Sequence, residues 1–210
     1  MYRQILCAFA CTLAAASASQ AQDLTKGGPA VSLGTSTLGI TVEPSLRIGG
    51  HWGLRSPIGT ATFNLEDESK GNTYSGNMDI GGLGLLADWY PVASSGFRIS
   101  GGVFFTDYKA DLTARNVSIG GYVTDLNARI RQDSRILPAI AIGYDGRLGR
   151  HATLSVSVGG MFGNEFTVQA SESSGLVPQD LVDAELADIR DDLKDYDVIP
   201  YIQLALGFRF

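Results

Sequence analysis

Cysteine is nearly absent from this 210-residue chain, and its two examples, Cys7 and Cys11, lie together near the start. Histidine also occurs only twice, which leaves few side chains for acid–base work near neutral pH. Beyond the first 21 residues, no apolar run approaches the ~18–20 residues that a membrane-spanning helix needs. Acidic residues outnumber basic ones, 22 to 16. Helical transmembrane proteins and nucleic-acid-binding proteins are therefore not expected.

The first 21 residues have the pattern of an export signal. Arg3 gives a short basic start, Ile5 to Ala16 is apolar, and Ser19-Gln20-Ala21 provides small residues at a cleavage site. We expect cleavage after Ala21, which leaves one domain over residues 22–210. Both cysteines depart with the signal, so the mature chain has no disulfide.

A period of two dominates the rest of the sequence. Between residues 38 and 48 every even position is apolar, and every odd position is small, polar or charged. Residues 139–145, 154–165 and 198–210 alternate in the same way. Such alternation is typical of strands with one apolar face. Short turns at 47–51, 93–96 and 147–150 alternate with longer polar segments at 66–72, 115–135 and 170–195, which predicts an antiparallel up-and-down meander.

Seven strands are clear, and a closed membrane barrel needs an even number. An eighth strand must therefore precede Ser36. Val31 and Leu33 occupy odd positions whereas the apolar residues from Leu38 onward are even, which predicts a tight turn around Gly34 and Thr35. One long strand with a bulge is the alternative.

The fold class follows from the face on which charges and aromatic residues lie. The competing architecture is a soluble β-sandwich or lipocalin-like barrel with its apolar faces turned inward. The polar faces carry charges whose burial in a soluble core would be costly. A narrow transmembrane barrel lets interior charges pair. We predict an interior charge network of Glu43, Arg47, Arg55, Asp88, Arg98, Asp145, Glu165 and Arg209. Aromatic residues at the short-turn ends are predicted to mark a membrane interface: Trp52, Trp89, Tyr90, Phe97 and Tyr144.

The final segment, Tyr201-Ile-Gln-Leu-Ala-Leu-Gly-Phe-Arg-Phe210, resembles the C-terminal signature of bacterial outer-membrane β-barrels. In length and meander the chain is similar to the eight-stranded barrels of the outer membrane protein A and W type. The resemblance implies an eight-stranded antiparallel barrel in the outer membrane of a Gram-negative bacterium, in contact with its lipid and lipopolysaccharide. It also implies that the barrel assembly machinery recognises Phe210, Phe208 and Leu206.

Prolines inside proposed strands depart from that pattern, because proline lacks the donor that a closed sheet requires. Pro138 and Pro200 fit strand ends. Pro57 conflicts with a continuous third strand.

One segment has helical spacing instead. Four apolar residues recur at three- and four-residue steps within 178–196, which predicts an amphipathic helix in the last extracellular loop: Val182, Leu186, Ile189 and Leu193. Its other face is acidic. The helix is expected either to cap the barrel mouth or to present a surface to an extracellular partner or to divalent cations that bridge to lipopolysaccharide.

The two histidines do not indicate a catalytic site. His51 and His151 both fall in proposed short turns, and neither has a Ser or Asp placed by sequence as a catalytic partner. No calcium-loop spacing is present. We therefore expect a monomeric, non-enzymatic barrel without metal or cofactor, with a structural or surface-interaction role. The alternative is a narrow pore or a conduit for small or hydrophobic solutes, since eight strands leave an interior that side chains can just fill.

Overall fold

The computed structural model of the chain describes residues 27–69, 72–119, 122–163, 166–172 and 197–210. All of the regular secondary structure in these ranges is β-strand. No helix among them is long and apolar enough to cross a membrane. The strands are β1 (Gly28–Ser36), β2 (Gly39–Ile48), β3 (Trp52–Arg55), β4 (Ile58–Ser69), β5 (Asn72–Trp89), β6 (Phe97–Ile119), β7 (Tyr122–Gln132), β8 (Ile136–Leu148), β9 (Ala152–Phe162), β10 (Phe166–Glu172) and β11 (Val198–Arg209).

The strands close into a ring. Each wall strand pairs antiparallel with its neighbour in sequence, and β11 returns to pair with β1, so that Leu33 lies opposite Leu206. Three wall strands consist of two consecutive segments each, β3 with β4, β7 with β8 and β9 with β10, which gives a ring of eight. The predicted eight-stranded antiparallel β-barrel is therefore the fold.

The first strand exists, but its turn lies later than predicted. Ser36 pairs with Gly39, so the turn residues are Thr37 and Leu38 rather than Gly34 and Thr35. Gly39 has φ +91°, a left-handed conformation that glycine adopts without strain. Leu38 was predicted to continue the outward apolar face; instead it is 0% exposed and folds into the barrel. The slip in apolar register follows from the two-residue turn, which places odd residues of β1 opposite even residues of β2, as with Leu33 and Val42.

Pro57 lies inside a continuous wall strand. Arg55 pairs with Leu86 and Ile58 with Leu83, so the register against β5 does not change across the proline. The Gly84 N–H donates to the Pro57 carbonyl at 2.7 Å. In an antiparallel pair of this kind, the backbone N–H of residue 57 would also donate to the Gly84 carbonyl. Proline cannot make it, and the Ser56 hydroxyl donates to the Gly84 carbonyl at 2.9 Å instead. The conflict predicted for Pro57 is resolved by its neighbour.

The wall is uneven in height. β1 and β2 have 9 and 10 residues, whereas β5 and β6 have 18 and 23. The tall side continues as an extension formed by β4, β5, β6, β7 and β10. The predicted export signal and the predicted loop helix at 178–196, with Val182, Leu186, Ile189 and Leu193, lie outside the described residues.

Candidate functional site in the barrel interior

The alternation of each strand directs one set of side chains into the barrel, and in the half nearer the short turns this set is polar. We call it the polar layer: Glu43, Arg55, Asp88, Arg98, Ser100, Asp145, Ser155, Ser157 and Gln203. Burying charge is tolerated only when every group is paired and hydrogen-bonded. The layer contains five of the eight charges predicted for the interior network.

Arg55 lies at the centre of the polar layer. Its Nε is 2.9 Å from Asp88 Oδ1, and its Nη1 is 3.2 Å from Glu43 Oε2. Nη2 donates to the Ser100 hydroxyl at 3.0 Å, and that hydroxyl donates to Asp88 at 2.6 Å. Gln203 completes the set by donating from Nε2 to Glu43 Oε2 at 3.0 Å. One guanidinium thus links β2, β5 and β6 from within.

Arg98 forms the second centre and is 0% exposed. It donates to the Asp145 carboxylate and, through Nη2, to the Ser155 and Ser157 hydroxyls at 3.1 and 2.7 Å. A Cβ built on Gly143 would lie 2.9 Å from the Arg98 Cζ. Glycine at residue 143 therefore makes the space that the guanidinium occupies.

Tyr90 closes the polar layer from below. Its hydroxyl donates to Asp145 Oδ2 at 2.8 Å, and the Arg47 guanidinium carbon lies 3.7 Å from the centre of its ring. Burial and the nearby Asp145 carboxylate raise the pKa of the Tyr90 phenol well above its usual range, so the group remains a donor. Tyr90 was predicted to lie at the membrane interface, but it is 4% exposed and points into the barrel. It lies inside because its hydroxyl binds the Asp145 carboxylate there.

Arg47 and Arg209 lie at the short-turn mouth rather than among the ion pairs described above. Arg47 donates through Nη2 to the carbonyls of Gly50 and Ala93 at 2.7 and 2.9 Å, and so fastens two turns together. Both arginines line a cavity of about 70 Å³ that opens below Arg55. Glu165, the remaining predicted member, lies outside the described residues.

A second layer fills the interior above the polar one and is apolar. This apolar layer consists of Leu38, Leu86, Phe104, Tyr108, Leu137, Ala141, Met161 and Tyr201. The rings of Phe104 and Tyr201 are 4.8 Å apart between centroids. The Tyr201 hydroxyl donates to the Gln203 side-chain oxygen, which joins the two layers.

The sequence prediction missed the partners of the charges and the whole apolar layer. Ser100, Ser157 and Gln203 carry hydrogen bonds that no charge pattern indicates. The position of Phe104 could have been predicted from the alternation of the strand. It lies six positions after Arg98, and residues an even number of positions apart share a face. Leu38 offers no such signal, because it enters the barrel from a turn.

The outward face carries the other predicted residues. Trp52 lies opposite Trp89, and Phe97 opposite Tyr144, and all four side chains are exposed near the short turns. Leu206, Phe208 and Phe210 also point outward. Phe208 stacks on the His151 ring at 5.4 Å. Apolar side chains thus form a belt on the outside of the barrel while charge lies within.

Both histidines contact backbone carbonyl groups. A ring nitrogen of His51 is 2.9 Å from the Tyr90 carbonyl, and one of His151 is 3.3 Å from the Arg209 carbonyl. Within the described ranges, no group of three His, Cys, Asp or Glu side chains is placed to hold a metal ion.

Known structures resemble this barrel. Acinetobacter baumannii CarO matches with a TM-score of 0.64 and 19% identity, over 90% of this chain and 100% of that one. Acinetobacter baumannii CarO2 matches with the same score and identity over 88% and 100%. No family model matches, and no curated protein matches by sequence. At this identity the likeness shows the fold alone, a small β-barrel of the outer-membrane type.

Proposed function

We propose that the chain is a non-enzymatic barrel of the bacterial outer membrane, closed to solutes, with a structural or surface-interaction role. The observation that carries this proposal is the filling of the interior by two stacked layers. Solutes passing along the axis would have to cross both.

Each layer closes the barrel by a different physical means. In the polar layer, Arg55 spans the interior between Glu43 and Asp88, and moving it would leave Glu43 buried without its cation and Asp88 with only the more distant Arg98. In the apolar layer, Phe104, Leu137 and Met161 are 0% exposed, so an ion would meet hydrocarbon directly above the charged groups. An eight-stranded barrel is narrow enough for side chains to fill in this way.

The outward belt supports a membrane location. On β6 the outward residues from Phe97 to Phe105 are apolar apart from Gly101, a length of roughly nine residues, which suits a tilted strand that crosses the hydrocarbon core. Trp52 and Trp89 lie at the short-turn edge of the belt, where aromatic rings favour the interface. The likeness to CarO supports the same location.

The terminal strand supports assembly by the barrel assembly machinery. Leu206, Phe208 and Phe210 form one outward row on β11, whose pairing with β1 closes the ring. The absence of catalysis is supported by His51 and His151, whose ring nitrogens face backbone carbonyls at the turn end of the barrel. A general base needs a reacting group within reach.

Single-channel recording tests the closed interior. The full chain is refolded, its folded state is verified by a heat-modifiable gel shift, and currents are recorded across a planar bilayer. We expect a folded barrel without steady openings. Reproducible openings of the folded protein would contradict the proposal and favour the narrow-pore alternative.

A matched variant sharpens the recording. Replacing Arg55, Phe104 and Leu137 with alanine removes large side chains from both layers, and openings should then appear if these side chains close the barrel. Removing the exposed Arg150 side chain serves as the control, since Arg150 lies in a turn outside both layers.

A further inference from the structure

One strand of the wall has no described neighbour on one side above the apolar belt. β2 pairs with β4 only as far as Thr60, which lies opposite Ile40, because the β1–β2 hairpin turns just beyond this point. β4 continues to Ser69 and pairs with β5 along its whole length. We call residues 61–69 the free edge of β4, since no described strand pairs with their other side.

The backbone groups that this edge presents follow from the pairing below it. The Gly84 N–H donates to the Pro57 carbonyl, so odd residues of this wall strand exchange hydrogen bonds with β5. Even residues face the other way, as shown by the Ser56 N–H, which donates to the Pro44 carbonyl of β2 at 3.0 Å. Four residues of the free edge therefore direct both backbone groups away from β5, where no described strand receives them: Thr62, Asn64, Glu66 and Glu68.

The free edge lies above the level of the hydrocarbon. Ile58 is the last apolar residue on the outward face of β4, and the outward positions that follow are Thr60, Thr62, Asn64 and Glu66, all of them exposed. Unpaired backbone groups are excluded from the hydrocarbon of a membrane, but in water they can pair with an added strand. The free edge is thus open to such a strand.

The inward face of the free edge is apolar. Phe63 is 48% exposed and lies opposite Met78, and Ala61 lies opposite Ile80 on the same face. A strand added to the edge would place every second side chain on the face of Phe63 and the others on the polar outward face. An occupant that alternates apolar and polar residues therefore fits this edge.

The free edge is also acidic. Residues 66–68 are Glu-Asp-Glu, Asp79 lies on β5, and Lys70 is the only base in β4, β5 and the two residues between them. On the outward face of β4, β5 and β6, the described bases are Lys109, opposite Asp79, and Arg115, and both lie on β6, two strands from the edge. The two strands nearest the occupant therefore carry an excess of negative charge.

This charge disfavours two other occupants. A second copy of the chain would bring a second set of acidic residues to the same edge, and like charges on neighbouring strands repel each other. Residues 173–196 of this chain include seven acidic and two basic residues, so the same repulsion disfavours pairing within the chain. An extended segment with basic side chains complements the edge instead.

We propose that the free edge of β4 binds an extended basic segment of a partner protein by strand addition. The backbone of the segment pairs with the even residues of the edge, its apolar side chains lie beside Phe63, and its Lys or Arg side chains lie beside Glu66. Backbone hydrogen bonds supply affinity in this mode of recognition, and the alternating side chains supply specificity. The inference rests on the proposed surface-interaction role, for which it names a partner.

Binding of a fluorescent peptide of alternating lysine and valine, long enough to span the free edge, tests the inference. The full chain is folded in a neutral detergent, and fluorescence anisotropy measures binding. Asn64→Pro removes one N–H that faces the peptide and leaves the bonds to β5 intact. We expect it to weaken binding about fivefold, the usual contribution of one hydrogen bond. Asn64→Ala keeps the N–H and is the matched control.

A second pair of variants tests the charge. Glu66→Lys replaces attraction by repulsion across the new strand pair, and we expect binding to weaken about tenfold. Asp133→Lys reverses an exposed acid between β7 and β8, away from the edge, and should leave binding unchanged. An equal loss in both variants would overturn the inference, because net charge rather than the edge would then decide binding.

Modified peptides distinguish strand addition from simple charge attraction. A peptide of alternating glutamate and valine should bind far more weakly, as should the lysine peptide with methyl groups on the backbone nitrogens that face the edge. Equal binding of the methylated and unmodified lysine peptides would overturn the inference, as would equal binding by Asn64→Pro and Asn64→Ala when both give the folded gel shift. A dimer of the chain that Asn64→Pro abolishes would assign the edge to a second copy and would also overturn it. Channel recording tests barrel closure separately.

Discussion

The polar and apolar layers occupy the same barrel and achieve closure in opposite ways. In the polar layer Arg55 and Arg98 are held by directed hydrogen bonds to carboxylates and hydroxyls. In the apolar layer Phe104, Leu137 and Met161 are held by packing without direction. Buried charges favour one arrangement because another would give up several directed hydrogen bonds, whereas apolar side chains can repack at lower cost. The polar layer should therefore be far less tolerant of single substitutions.

The largest effect is expected from Arg55→Met, which keeps much of the side-chain volume and removes the charge. Glu43 then remains buried without its cation, and Asp88 keeps only Arg98, whose Nε is 3.8 Å from Asp88 Oδ1. Removing one partner of a buried ion pair costs roughly 3–5 kcal/mol. Urea titration of the barrel in phospholipid vesicles measures the free energy of unfolding. A cost no larger than that of the exposed Arg150→Met would contradict this role for Arg55.

Neutralising Glu43 and Asp88 together with Arg55 separates the cost of unpaired charge from the cost of altered packing. In the variant Glu43→Gln, Arg55→Met, Asp88→Asn, no buried carboxylate lacks its cation at this centre, and we expect about 2 kcal/mol of the loss to be recovered. The same titration measures the recovery. If the triple variant is less stable than Arg55→Met alone, hydrogen-bond geometry outweighs charge balance here.

A smaller effect is expected in the apolar layer. Met161→Ala leaves a cavity beside Leu137 and Phe104, and we expect a loss of about 2–3 kcal/mol, at the low end of the range for such truncations, because neighbouring apolar groups relax into the space. Met161→Leu should cost less than about 1.5 kcal/mol. The same unfolding titration tests both. A loss for Met161→Leu as large as for Arg55→Met would erase the distinction between the layers.

The sequence predicts the wall of this barrel better than its contents. Alternation places Glu43 on the inward face of β2 and Trp89 on the outward face of β5, because a strand offers only two faces. Tyr90 follows Trp89 and shares the inward parity of Asp88, yet aromatic character at a strand end suggests an interface. The Asp145 carboxylate that draws Tyr90 inward is 55 residues away in sequence, and no local pattern indicates it.

Turns are harder still, because local chemistry and long-range packing compete there. Gly34 and Thr35 offer an ordinary turn sequence, but the turn forms at Thr37 and Leu38, where Leu38 fills space over Gly59 and Gly82. That space exists only once β4 and β5 have closed against β2. The tertiary contact, rather than the turn residues, sets the position of the turn.

The smallest effect concerns Ser56 and Pro57, which lie where the two layers meet. The Ser56 hydroxyl supplies the Gly84 carbonyl with the hydrogen bond that Pro57 cannot donate. We expect Ser56→Ala to cost about 1 kcal/mol, the usual net contribution of one hydrogen bond. A double-mutant cycle tests this by comparing the wild type, Ser56→Ala, Pro57→Ala and the double variant. Urea titration measures the free energy of unfolding of each.

The cycle distinguishes compensation from simple packing. Alanine at residue 57 restores a backbone N–H facing Gly84, so Ser56→Ala should cost almost nothing once Pro57 is replaced. An equal cost in both backgrounds would mean that the hydroxyl acts independently of the proline. If the cost vanishes, the Ser56 hydroxyl replaces the backbone donor that Pro57 lacks. This replacement then allows a proline within a closed wall, at the level where the polar layer meets the apolar layer.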